Sequence, residues 1–164
     1  MINFEKITND KQIKTFAKIA DTIWHEYFVF LLSNDQINYM LEKFQSYEAL
    51  KSQIACGYEY YFLKKCGQII GYTGFCIKTD EFFLSKLYIL KKFRNCGIGR
   101  KVLEFIIDKA RENECLKITL TVNKYNESTI KAYEKWGFER IDSVVTDIGS
   151  GYVMDDYIMA LNVN

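Results

Sequence analysis

The chain has 164 residues, a formal net charge of +1, 49% hydrophobic and 26% charged residues. That length predicts one domain with a single core, and the near-neutral charge removes the electrostatic case for a nucleic-acid binder. With one histidine, His25, a His-rich catalytic metal site is excluded. Ile2 to Ile7 alternates as a first strand, and Thr8, Asn9 and Asp10 are all able to cap a helix. Apolar residues at three- and four-residue spacing from Ile13 to Leu31 predict a long amphipathic helix. Ser33 followed by Gln36 reads as a capping box, opening a second helix with Ile37, Met40, Leu41 and Phe44 on one face. A short third helix is expected from Tyr47 to Cys56, with Gly57 just past its end.

The pattern then changes. Tyr58 to Lys64 is aromatic and extended, Cys66-Gly67 fits a turn, and Gln68 to Lys78 pairs back as a hairpin. Glu81 to Leu90 is a further strand, and Gly97 to Asn113 a helix with Ile98, Val102, Phe105, Ile106 and Ala110 facing inward. Leu116 to Val122 is a strand, Asn126 to Trp136 a helix stopped by Gly137. Phe138 to Thr146 and Tyr152 to Leu161 are two last strands around the turn I-G-S-G. The order, βααβββαβαββ with an optional third early helix, argues for an α+β fold with one parallel join at the strand-helix-strand unit.

Five cysteines with no C-x-x-C pair form neither a zinc knuckle nor a disulfide framework, so reduced thiols and no metal are expected. No apolar run is long enough to span a membrane, and the start M-I-N-F-E-K-I-T lacks a basic and then apolar leader. A cytoplasmic protein without membrane or nucleic-acid partners is the expectation. There is no proline, and 16% of the residues are aromatic. The rings suit either a bulky core or a lined cleft.

The stretch Leu87 to Arg100, L-Y-I-L-K-K-F-R-N-C-G-I-G-R, is the most informative. A strand ends, a basic loop comes next, and Gly97 and Gly99 open a helix. Backbone N–H groups at a helix start are unpaired, and the helix dipole favours an anion there. Lys91, Lys92, Arg94, Arg100 and Lys101 add positive charge, so a pyrophosphate-bearing ligand is expected. G-x-x-x-x-G-K-[ST] is absent, and the third glycine of the dinucleotide fingerprint is missing.

The second stretch, Val122 to Phe138, reads V-N-K-Y-N-E-S-T-I-K-A-Y-E-K-W-G-F. Together, R-x-x-G-x-G and N-x-x-x-x-x-x-Y-x-x-x-G-F resemble the GCN5-related N-acetyltransferase (GNAT) family, along the whole chain. The resemblance implies a GNAT fold, a mostly antiparallel sheet of about seven strands flanked by helices. It implies one acetyltransferase domain over residues 1–164 and acetyl-CoA as cosubstrate. Arg94, Asn95, Cys96, Gly97, Ile98, Gly99 and Arg100 would form the pyrophosphate loop. Tyr88 and Ile89 would offer strand backbone to the pantetheine arm and the oxyanion. Asn126, also a natural N-cap, would contact the cofactor, and Tyr133 would protonate the departing thiolate.

Thr22 to Ser46 and Asp147 to Met159 resemble a narrower branch, the bacterial acetyltransferases related to the PaiA polyamine N-acetyltransferases. That implies a small amine acceptor, with Trp24, Glu26, Tyr27, Asp155 and Asp156 as an aromatic-acidic cleft. Trp24 and Tyr27 also fit a core face. In the family's mammalian spermidine enzymes a strand carboxylate stands where this chain has Ser85, so the base stays open among Glu26, Glu59, Glu81 and a water. A protein or peptide N-acetyltransferase is the alternative, and a non-catalytic acyl-CoA-binding regulator ranks below both. Many family members pair, and the exposed aromatics permit a homodimer.

Overall fold

The computed structural model describes residues 1–163. Seven strands form one sheet in the order β1-β2-β3-β4-β5-β7-β6. They are β1 (Ile2–Lys6), β2 (Glu59–Lys65), β3 (Gln68–Lys78), β4 (Glu81–Ile89), β5 (Lys117–Asn123), β6 (Glu139–Gly149) and β7 (Tyr152–Asn162). The helices are α1 (Asp10–Tyr27), α2 (Asn34–Gln45), α3 (Tyr47–Ala55), α4 (Ile98–Glu112) and α5 (Glu127–Lys135). The expected α+β architecture and element order are present. β1–β2, β2–β3, β5–β7 and β6–β7 pair antiparallel, and β4 pairs parallel with β5 through Glu81–Phe83 and Lys117–Thr119. The chain divides into two compact units, Met1–Cys76 with Lys86–Leu103, and Ile77–Ser85 with the chain from Glu104 on.

In the first unit α1 begins at a reciprocal capping box. Asn9 Oδ1 accepts from the Gln12 N–H at 3.0 Å, and Gln12 Oε1 accepts from the Asn9 N–H at 3.2 Å. The buried stripe is Ile13, Phe16, Ala20, Ile23 and Trp24. Phe16 meets Tyr72 at 4.2 Å, Tyr60 at 5.2 Å and Phe62 at 6.3 Å between ring centres. Much of the aromatic excess is therefore packed core, where each ring buries a large apolar area. Gly71 is required by close approach, because a Cβ there would lie 2.2 Å from the Tyr88 carbonyl oxygen.

The helix foreseen to Leu31 ends at Tyr27, and Phe28–Phe30 forms a separate 3-10 turn. Phe28 is buried while Val29 and Phe30 are exposed, so the apolar spacing continues after the α-helical backbone has stopped. Aromatic and β-branched residues in succession lose side-chain freedom in a helix, which weakens that last turn.

In the second unit, β5 buries Ile118, Leu120 and Val122, and β7 buries Met159. β6 is a sheet edge, exposed along most of its length.

Candidate active site

β4 ends at Ile89, a 3-10 turn covers Lys91–Phe93, and α4 starts at Ile98. Between them Asn95 and Gly97 take left-handed backbone, φ 60° and 72°. Left-handed residues beside a helix start turn successive N–H groups toward one point, which makes an anion-binding concavity. Ile98 is buried and anchors the turn, while Asn95, Cys96, Gly97 and Arg100 are exposed. A Cβ built on Gly97 would meet nothing within 4 Å, so the loop's outer side is open. The Cys96 thiol donates to the Arg94 carbonyl at 3.4 Å, within the loop.

Arg94 is not a free loop cation. Its Nε donates to the Ile89 carbonyl at 2.7 Å, and its guanidinium stands 4.7 Å over the Tyr27 ring. Partial burial lowers its pKa, against the pull of Tyr27 and Glu26. Glu26 Oε2 accepts the Lys91 backbone N–H at 3.2 Å. The end of α1 is thus tied to the glycine loop. Glu26 and Tyr27, expected to serve the acceptor, sit against Arg94 and Lys91, expected to serve the cofactor. Trp24 is buried, its ring 4.5 Å from Phe28 and 5.8 Å from Tyr88. His25 is satisfied by the Asp21 carbonyl and by Asn38 Oδ1, each at 2.9 Å.

In the second unit Asn126 is buried at the N-cap position of α5, yet its side chain makes no capping hydrogen bond. The expected cap is therefore positional only: the Asn126 carbonyl accepts from Ile130, closing the first turn. One helical face on, Tyr133 is buried, edge-on to Trp136 at 5.7 Å and Phe138 at 5.3 Å. On β7, Asp155 pairs with the Lys124 ammonium at 2.6 Å. Asp156 is only 5% exposed, and burial, then Asp155, push its carboxyl up to about 6 against the pull of Lys124.

The carboxylates weighed as bases are engaged. Glu59 meets Lys6 at 2.9 Å and the Tyr61 hydroxyl at 2.8 Å, and Glu81 holds the Thr119 hydroxyl and Lys117.

Lys86 carries a further titratable group, one that no motif in the sequence singles out. Its Nζ donates to Gln53 Oε1 at 3.1 Å and to the Tyr60 hydroxyl at 3.0 Å. Burial drives its pKa down to about 7. A signal for it does exist, since alternation along Phe82, Leu84 and Lys86 points all three inward.

Residues 17–138 match the model of the acetyltransferase (GNAT) family. The chain belongs to that family and is a GNAT-type N-acetyltransferase. It is 25% identical, over 86% of its length and 87% of the other's, to an uncharacterized N-acetyltransferase in the pepI 3′ region of Lactobacillus delbrueckii subsp. lactis. A peptidyl-lysine N-acetyltransferase, YjaB of Escherichia coli, is 32% identical over 49% of this chain and 51% of its own. In fold, the chain is similar to the PaiA N-acetyltransferase of Thermoplasma acidophilum, solved in complex with coenzyme A. The TM-score is 0.82 at 21% identity, over 99% of both chains.

Proposed function

We propose that the chain moves an acetyl group from acetyl-CoA to the primary amine of a small, polyamine-like molecule by direct attack. The observation that carries the acceptor class is Asp156, a buried carboxylate. Burying a charge is costly unless a partner compensates it, and a cationic amine is the fitting partner. The loop from Arg94 to Arg100 would take the pyrophosphate on its backbone N–H groups, with Lys91, Lys92 and Lys101 adding positive field. The Ile89 carbonyl already accepts from Arg94, so Arg94 would brace the loop as well as supply charge. Tyr133 would give its proton to the departing thiolate. Holding both reactants together supplies the proximity that lowers the barrier.

A peptide lysine carries the same primary amine, and the likeness to a peptidyl-lysine enzyme favours that as a second reading. The deciding experiment incubates the protein with acetyl-CoA and spermidine, spermine, amino acids, aminoglycosides or lysine peptides, and measures free CoA. Release with the polyamines is expected. Release with peptides alone would overturn the small-amine reading.

A further inference from the structure

Asp155 and Asp156 are neighbours in sequence with opposite fates. Successive strand residues face opposite sides of a sheet. Asp155 meets Lys124, whose ammonium is 2.6 Å from Oδ1 and whose backbone N–H donates to the Asp155 carbonyl at 3.0 Å. Asp156 points to the other side, and among the described residues no hydrogen bond or ion pair reaches its carboxylate. In register beside it are Asn123 of β5 and Val144 of β6, neither charged. The charges acting on it are those of Asp155 and Lys124.

The surroundings are not a sealed core. Asn123, Val144 and Ile158 are half-buried, and Thr121 on the same face is exposed. Asp156, at 5% exposure, is sunk below accessible neighbours. It also lies across from the last residue of β5, where the chain turns through Asn126 into the helix that carries Tyr133. A carboxylate this deeply set, with no hydrogen-bond partner among the described residues and with accessible neighbours on its own face, is placed to act on a ligand that reaches that face.

Resting on the reading of the chain as an amine acetyltransferase, we propose that Asp156 is the general base that takes the proton from the acceptor's ammonium group. The protonated amine gives one proton to the Asp156 carboxylate, which passes it to solvent. The freed lone pair forms the C–N bond to the acetyl carbon, and the C–S bond breaks. Tyr133 gives its proton to the thiolate and recovers one from the amide nitrogen, so CoA leaves as a thiol and the charges balance. Burial of the carboxyl raises its affinity for that proton toward the working range of a base.

The test compares wild type with Asp156→Asn and Asp156→Glu over pH 5 to 9, using spermidine and a hydrazine that is neutral in that range. For spermidine, kcat/KM of Asp156→Asn should fall by about 10²- to 10⁴-fold. The acid limb of the wild-type profile should vanish, the KM for acetyl-CoA should hold, and the hydrazine should lose much less. Asp156→Glu, which keeps the base, should retain the limb and part of the rate, and guards against misfolding of the amide variant. Wild-type rates in Asp156→Asn, or equal losses with both acceptors and an intact acid limb, would overturn the proposal. If only lysine peptides are turned over, the small-amine reading fails, and the same comparison on the peptide still decides the role of Asp156. No turnover of any amine would overturn both.

Discussion

Asp156 and Lys86 present the same physical problem with opposite sign, a charge taken out of water. For Asp156 the folded chain favours the protonated form, so no stability is lost below pH 3.8, and the full cost is present above about pH 6. That cost is on the order of 3 kcal/mol from the size of the displacement. Asp156→Asn should therefore melt at or above the wild-type temperature at pH 8 while losing activity. A fall in melting temperature at pH 8 would mean that the carboxylate makes a structural contact. Lys86 runs the other way. Its buried amine favours the neutral form, so stability is lost as pH falls from 10.5 to about 7. Lys86→Met should raise the urea midpoint at pH 6 and raise it progressively less toward pH 10; a gain independent of pH would contradict this. Tyr133→Phe removes the proposed proton donor and leaves the ring contacts with Trp136 and Phe138. It should lower kcat about 10²- to 10⁴-fold. An unchanged kcat would remove Tyr133 from the chemistry.

At the scale of elements, the loop before α4 and the approach of β3 to β4 make opposite demands on glycine. Gly97 has left-handed backbone and open space around it. Gly97→Ala should cost about 1–2 kcal/mol of strain and weaken acetyl-CoA binding, measured by calorimetry. Gly71 has an ordinary φ, but a Cβ would collide with the Tyr88 carbonyl and crowd Ile89 Cα at 3.0 Å. Gly71→Ala should therefore lower the melting temperature more than Gly97→Ala does, because backbone atoms have to move. Equal melting temperatures would contradict that contrast. The elements themselves were legible because their signals are local. Asn9 and Ser33 cap as their side chains allow, and the Cys66-Gly67 turn has both residues at positive φ. What could not be read rests on contacts distant in sequence. Arg94 lying over Tyr27, and Glu26 accepting from Lys91, depend on how α1 meets the loop. The spacing of charges gives the expectation of an anion loop but does not say which arginine is already bound. Asn126 stands at the helix start as its position in the sequence implies, but its side chain does not make the capping hydrogen bond.

At the scale of the whole chain, a net charge of +1 gives no long-range field to gather an acidic partner. Under the proposed reading, recognition would rest on local groups, basic around the loop at α4 and acidic on β7. Family membership defines the reaction class, and the fold it shares with PaiA does not choose the acceptor. The residues that would choose it are those the sequence left ambiguous, since an acid on a strand reads the same whether paired, as Asp155 is, or, like Asp156, without a hydrogen bond or ion pair among the described residues. The most direct measurement is mass spectrometry of the products formed from acetyl-CoA with an equimolar mixture of spermidine and a lysine peptide. N-acetylspermidine is the expected product, with one CoA thiol released for each acetyl group transferred. Acetylated peptide with spermidine left unmodified would contradict the small-amine reading.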